Sequence, residues 1–330
     1  FPTVSTRVNR SFKSPYLRQV FKRFATYNGS SPYLAPATIN VIAYIELCTG
    51  GYYVKGGLYQ IALALQKLCT ELGVELHFNK EISRIIVENG AARGVTFCDD
   101  EAPAATDVLF SNSDATFTYT QLLPEGTLKK RQKQRIANIE PSCSGFVLLL
   151  GTNRKFEKLG HHNIFFSRDY EKEFNEIFQR RMLPEDPTIY VANTSYSDPD
   201  HAPEGGSNLF ILINAPYLSD NLKWDDARAR EYGNLIIHKL EKQGLEGLSE
   251  SIQVREHITP QQFYDLYRSN RGSIYGTSSN QQLSAFLRPR NKSSYIDDLY
   301  MVGGSTHPGG GIALVMMSAR HAVTIFNRET

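Results

Sequence analysis

Apolar positions recur along the chain with spacings that predict its elements. Leu17, Val20, Phe21 and Phe24 fall at i, i+3, i+4 and i+7, the signature of an amphipathic helix, and Asn28-Gly29-Ser30-Ser31-Pro32 closes it. Residues 37–47 read as a second, mostly apolar helix stopped by Gly50-Gly51. Leu58, Ile61, Ala62, Leu65, Leu68 and Leu72 mark one face of a third, with Gly73 where a left-handed cap residue belongs. Val74, Leu76 and Phe78 alternate as a strand. Residues 82–87 and 94–97 flank Asn89-Gly90 and predict a hairpin, because Asn-Gly accepts the positive φ of a tight primed turn. Residues 108–110 give a further short buried strand.

The middle of the chain predicts strands at 142–150, 188–193 and 208–214, a helix at 226–243 followed by Gly244, and a strand at 253–258. Thr259-Pro260 then supplies a cap and a first-turn proline for a short helix through Tyr267. Near the end, residues 299–302 read as a buried strand, then comes Gly303-Gly304-Ser305-Thr306-His307-Pro308-Gly309-Gly310-Gly311. Ile312, Val315, Met316, Ala319, Val323 and Phe326 mark one face of a terminal helix. Helices alternating with strands predict an α/β protein, and 330 residues suffice for two lobes.

Composition narrows the possibilities. Hydrophobic content of 41% with 21% charged residues fits an ordinary globular protein, and a net charge of +2 gives no reason to expect a nucleic-acid partner. Cys48, Cys69, Cys98 and Cys143 form no CxxC pair, which fits a reduced, cytoplasmic compartment. No HExxH or similar cluster points to a metal, and no apolar run approaches the ~20 residues of a spanning helix. Charge is nonetheless uneven: residues 1–45 hold six basic side chains (Arg7, Arg10, Lys13, Arg18, Lys22, Arg23) and no acid. Beside the 17–24 stripe, such charges suit peripheral attachment to an anionic membrane surface. An ordinary packing helix has the same pattern.

The strand–glycine turn–helix at 299–326 carries the candidate chemistry. Glycine lets a backbone approach a ligand closely, and a helix start presents unbonded N–H groups at the positive end of its dipole. A phosphate or the electron-rich edge of a flavin would be favoured there. A turn that merely packs a helix on a sheet reads the same. The sequence is not a P-loop, because no GKS or GKT ends it, nor GxGxxG, because His307-Pro308 interrupts the spacing.

Leu299-Tyr300-Met301-Val302-Gly303-Gly304-Ser305-Thr306-His307-Pro308-Gly309-Gly310-Gly311-Ile312 resembles the C-terminal signature of bacterial-type phytoene desaturases and the related C30 carotenoid desaturases and oxidases. Gly51-Tyr52-Tyr53-Val54-Lys55-Gly56-Gly57-Leu58 is similar to that family's GxxYxxGGM/L turn. Gly73-Val74-Glu75-Leu76 with Glu81-Ile82 resembles its helix–GVE–strand passage, and Ser111-Asn112-Ser113-Asp114 through Leu122-Leu123 its SNAD…TYxxLL segment. Ala313 departs from the family's usual Pro, and Ser113 from its commoner Ala.

The resemblance implies FAD as cofactor and an acyclic carotenoid as substrate. It implies a partial FAD-binding, glutathione-reductase-like sheet domain lacking its N-terminal βαβ unit, plus a mixed α/β substrate-binding domain. Residues 1–50 would be a helical, membrane-facing part, 51–115 and 291–330 FAD-binding segments, and 116–290 the substrate domain. Glu81 and Ile82 would face the adenine, and Gly303, Gly304 and Ser305 the ribityl-pyrophosphate. Gly310, Gly311, Ile312 and Ala313 would meet the flavin's pyrimidine edge, with His307 and Pro308 shaping the turn. Tyr52 and Tyr53 would line the substrate path, as would the apolar helix at 37–47. Desaturation would transfer a hydride to the flavin and release a proton from the neighbouring carbon; no side chain identifies itself as the catalytic base. The alternatives are end-group oxidation of a carotenoid, an amine-oxidase-like enzyme on a small polar substrate, and a non-catalytic truncated fragment.

Overall fold

The structure is a computed structural model that describes residues 2–99, 101–220, 222–281 and 288–329. Its strands are β1 (Ile82–Glu88), β2 (Ala91–Phe97), β3 (Ala104–Ala105), β4 (Leu109–Ser111), β5 (Ser144–Thr152), β6 (His162–Phe165), β7 (Ile189–Asn193), β8 (Ser207–Ala215), β9 (Ile252–Ile258) and β10 (Leu299–Met301). The chain divides into two compact units, one of Phe1–Asn40, His77–Cys143 and Phe263–Thr330, the other of Val41–Leu76 and Ser144–Gln262.

The first unit holds the antiparallel sheet β1-β2-β3 and a parallel pair, β4 and β10. The hairpin β1–β2 forms across Asn89 and Gly90, both at positive φ, as the dipeptide predicts. Its turn end is fastened to the segment before β10: the Ala92 N–H donates to the Asp297 carbonyl (2.9 Å) and the Asp297 N–H to that of Gly90 (3.0 Å). Arg93 and Asp298 form an ion pair of 2.6 Å beside these bonds. Ile85, Ala92, Ala115, Tyr119, Ile136 and Leu299 build the core under the parallel pair. Two helices lead into this unit. Thr3 caps Val4–Ser11, which the periodicity did not mark, and Ser14 with Pro15 starts Pro15–Arg23.

The second unit is built on an antiparallel sheet ordered β6-β7-β8-β5-β9. β5 and β8 pair over nine residues, from Ser144 with Ala215 to Thr152 with Ser207. The helix Asp226–Lys242, capped by Asp225, lays Ala229, Tyr232, Ile236, Ile237 and Leu240 on Phe146, Leu148, Ile189, Leu209 and Ile211. This is the larger apolar core. In β8 every second residue is buried, facing the helix-covered side of the sheet, whereas the central β5 is buried along most of its length.

Several expectations are corrected. The strand expected at Val74, Leu76 and Phe78 does not form, since no described segment pairs with it; the three side chains are exposed. The helix Tyr59–Glu71 forms and ends as expected at Gly73 (φ +75°), yet buries none of its residues. In the terminal helix Ile312–Glu329 the buried side is Ser318 and Ala322, while Ile312, Met316 and Val323 of the expected stripe are exposed. The stripe at 17–24 is split: Phe24 is buried and Phe21 stacks on Phe12, but Leu17 and Val20 face outward. Arg18 donates to the carbonyls of Phe12 (2.7 Å) and Asn9 (3.1 Å), closing the preceding helix. The apolar helix Val41–Thr49 leaves Val41, Tyr44, Ile45 and Leu47 exposed. No described helix is long and apolar enough to cross a membrane.

Candidate functional site

The glycine turn begins where β10 stops. β10 is fully buried and runs parallel to β4, with Leu299, Tyr300 and Met301 opposite Leu109, Phe110 and Ser111. The Val302 N–H donates to the Ser111 carbonyl (2.9 Å), so the ladder delivers the chain to Gly303 in a fixed direction. Gly303 has φ +102°, and a Cβ there would lie 2.4 Å from Asn112 Oδ1. Only glycine meets both conditions without strain.

Three buried polar side chains hold the turn from behind. Ser318 Oγ, on the terminal helix, accepts the Gly303 N–H (3.1 Å) and lies 3.0 Å from both Thr306 Oγ1 and Asn291 Nδ2. Thr306 Oγ1 also donates to the Gly303 carbonyl (3.0 Å). Asn291 Nδ2 donates to the carbonyls of Met301 (3.1 Å) and His307 (2.9 Å). Sequence reading missed this network. Its one legible signal was a lone serine in the otherwise apolar run 312–319, off the expected stripe.

Of the expected cofactor residues, those from 303 to 313 come together in this turn. Ser305 Oγ accepts the Ala115 N–H (2.9 Å), tying the turn to the helix start at Asp114. His307 follows a backbone bond to Pro289 (2.9 Å) and its ring stacks on His321 at 5.9 Å; the His307–Pro308 peptide is cis. Gly310 has no positive φ and room for a Cβ at ordinary contact, whereas Gly309 and Gly311 do have positive φ. Around Gly311 the space is open, and Ile312 and Ala313 are exposed. Their N–H groups, at the start of the helix, have no acceptor within it. That combination can seat the electron-rich edge of a flat ring against the backbone. Glu81 and Ile82 stand at the far end of the β1–β2 hairpin from its fastened turn, about 20 Å away at strand rise. Glu81 pairs with Arg268 (3.2 Å).

Tyr52 and Tyr53 belong to the second unit and differ sharply. Tyr52 is 90% exposed, with its hydroxyl on the Thr49 carbonyl. Tyr53 is half-buried against His161, edge-on at 4.7 Å, and its hydroxyl lies 3.4 Å from His201 Nδ1. Asp198, buried, lies 3.6 Å from His201 Nε2 and accepts the Gly56 N–H (2.8 Å). Burial and the Asp198 charge push the Tyr53 phenol above its ordinary value, while burial and His201 hold His161 below its own. Tyr53, His201 and Asp198 thus form a polar cluster that the sequence spacing did not reveal. Among the described residues no group of His, Cys, Asp or Glu could hold a metal.

The whole chain has the fold of known oxidoreductases. It superposes on an oxidoreductase from Methanosarcina mazei with a TM-score of 0.65 at 15% identity, covering 99% of this chain and 68% of the other. Cyclohexylamine oxidase from Brevibacterium oxydans gives 0.54 at 13% identity, with 99% and 67% covered. Sequence narrows the class. The chain is 39% identical over 317 residues to a 1-hydroxycarotenoid 3,4-desaturase of a Flavobacterium, covering 94% of this chain and 62% of that protein. It is 37% identical over 326 residues to a 4,4'-diapolycopene oxygenase of a Methylomonas and 34% over 327 to a 4,4'-diaponeurosporene oxygenase of Staphylococcus haemolyticus. These cover 97% and 99% of this chain and 64% of each relative. The chain is thus a homologue of the carotenoid desaturases and oxygenases along nearly its whole length, and spans just under two thirds of theirs. No family model matches it.

Proposed function

We propose that this protein, at the length its relatives have, is an FAD-dependent oxidoreductase that desaturates an acyclic carotenoid. The observation that carries the reading is the 34–39% identity to carotenoid-modifying enzymes over 94–99% of this chain. The turn fits the cofactor: Gly311 leaves open space at positive φ, and the first N–H groups of the helix behind it have no acceptor within the helix. Gly310, Gly311, Ile312 and Ala313 would hold the flavin's pyrimidine edge, Gly304 and Ser305 the ribityl-pyrophosphate, and Glu81-Ile82 the adenine. Gly303 acts through shape, its N–H being bound to Ser318. His307 and Pro308 set the path of the turn.

FAD would supply the hydride acceptor. The chain's own residues orient it, and Tyr52 and Tyr53 would line the substrate path. We read the open edge of the parallel pair β4–β10, with exposed Phe110, Ile312, Met316 and Val323, as the seat of a dinucleotide-binding βαβ unit. Parallel strands are ordinarily covered on both faces and rarely stand as a pair, which supports that reading. Peripheral attachment to a membrane through the helix Pro15–Arg23 would give access to an insoluble substrate; exposed Leu17 and Val20 support it.

A second reading, oxidation of a carotenoid end group, is favoured by the names of two relatives, both oxygenases. Expression at full relative length in cells making phytoene or its C30 analogue separates the two. Desaturation gives longer conjugation without oxygen. Oxidation leaves colourless precursors untouched and adds oxygen to a preformed coloured carotene, and mass spectrometry of the pigments reads the difference. A protein that binds no FAD at that length and alters neither substrate would refute both readings.

A further inference from the structure

A cavity of about 700 Å³ lies wholly within the first unit, and Arg288, which packs against Gly309 of the glycine turn, forms part of its wall. Arg288 is only 6% exposed. Its Nη1 reaches the carbonyls of Gly304 (3.2 Å) and Tyr275 (3.5 Å), and among the described residues it forms no ion pair. Burial alone acts on it, lowering its pKa to about 10, so the group is still charged at neutral pH. A buried guanidinium facing only carbonyl dipoles keeps most of its desolvation cost uncompensated.

The rest of the wall has the same sign. Arg135 and Arg290 are exposed cations that form no ion pair among the described residues, and Lys292 joins them while paired with Glu329 (2.6 Å). Glu140 is the single acid lining the cavity among the described residues. Opposite this charge lies an apolar side, where Tyr119 and Tyr295 meet edge to face at 5.4 Å beside Ile136. The size is that of a small-molecule site.

We propose that this cavity binds a phosphate-bearing ligand with an apolar body, its phosphate on Arg288 and its body against Tyr119, Tyr295 and Ile136. A planar guanidinium meets phosphate oxygens in a two-pronged contact, and the rim arginines supply charge for a second negative oxygen that a carboxylate would lack. The phosphate is either that of a soluble ester or that of a lipid headgroup. The site does not rest on the flavin reading, and FAD content recorded in the same samples keeps the two apart.

Calorimetric titration with phenyl phosphate tests it, with inorganic phosphate and benzyl alcohol as the two halves of the ligand. Phenyl phosphate binds most tightly, and Arg288→Met weakens it by on the order of 30-fold or more. Because that variant removes a buried side chain, the surface pair Arg135→Gln/Arg290→Gln is measured beside it and loses affinity to a smaller, salt-dependent extent. Vesicles of phosphatidic acid against phosphatidylcholine assign the source: Arg288-dependent capture by the former indicates a lipid, its absence a soluble ester. The proposal is overturned if benzyl alcohol binds as well as phenyl phosphate, or if neither variant changes affinity. It is equally overturned if a chain of the relatives' full length no longer binds phenyl phosphate, since Arg288 then serves another part of the protein.

Discussion

Gly276 offers the most direct test of how the glycine turn is held. It has φ +68°, and a Cβ built on it would lie 2.7 Å from Ser305 Cα and 2.8 Å from the Gly304 carbonyl oxygen. Both neighbours are backbone, so no side-chain rotation relieves the overlap. Ordinary contact distances of about 3.5–4.0 Å require the turn to retreat by roughly 0.7 Å or more. Overpacking of this kind costs about 1–3 kcal/mol, and a non-glycine residue in the left-handed region about 1–2 kcal/mol more. Gly276→Ala should therefore lose about 2–5 kcal/mol. Gly90→Ala is the control, because Gly90 has φ +85° in the same unit but open space around it. It suffers the backbone strain alone. Urea unfolding followed by far-UV circular dichroism measures both, with equal m values as the condition for comparing midpoints. If Gly276→Ala is no less stable than Gly90→Ala, the turn is not packed against residue 276 as described.

Replacing Ser318 by Val should leave the Gly303 N–H without its acceptor, take one of several partners from Thr306 and Asn291, and cost about 1–3 kcal/mol in the same assay, with Ser318→Ala less damaging in shape but similar in bonding. In a full-length protein, Gly311→Val should abolish FAD absorbance while far-UV dichroism stays near wild type; retention of stoichiometric flavin would move the cofactor elsewhere. Burial holds the Glu173 carboxyl above its ordinary range despite hydrogen bonds from Ser167 and Thr188. A raised folded pKa means that its contribution to stability is fully present below the unfolded value and is lost as pH rises through the folded one. Glu173→Gln should accordingly gain on wild type in urea midpoint as pH rises above the ordinary carboxylate range, and a difference independent of pH would refute the assignment. Full-length protein should co-sediment with anionic liposomes in a salt-sensitive way. Leu17→Ser/Val20→Ser should weaken that binding more than Arg18→Gln, because Arg18 is already spent on the Phe12 and Asn9 carbonyls.

Local rules read well wherever a residue's own conformation decides the outcome. Asn89-Gly90 specified a turn with two positive φ values, Gly73 and Gly244 ended helices in the left-handed region, and Thr259-Pro260 began one. Apolar runs between polar loops placed β5, β7 and β8, and the strand expected at 253–258 is β9, each to within a few residues, and the resemblance to the carotenoid enzymes rested on motifs that are themselves local. The chain alone therefore determined its element types, its glycine turn and the family it resembles.

What it could not determine is which side of an element faces which partner. Val74, Leu76 and Phe78 alternate as a strand should, but a strand exists only with a neighbour to receive its N–H and C=O groups, and no described segment pairs there. The terminal helix turns Ser318 inward rather than Met316, because Gly303, Thr306 and Asn291 converge on that hydroxyl from segments 12 to 27 residues away. Arg18 looked like a surface cation until the preceding helix, invisible to periodicity, brought two carbonyls to it. Gly276 carries no motif, and its need for hydrogen at Cα comes wholly from Gly304 and Ser305 pressing on it. Hydrogen bonds and packing contacts join residues distant in sequence, so these decisions belong to the tertiary structure.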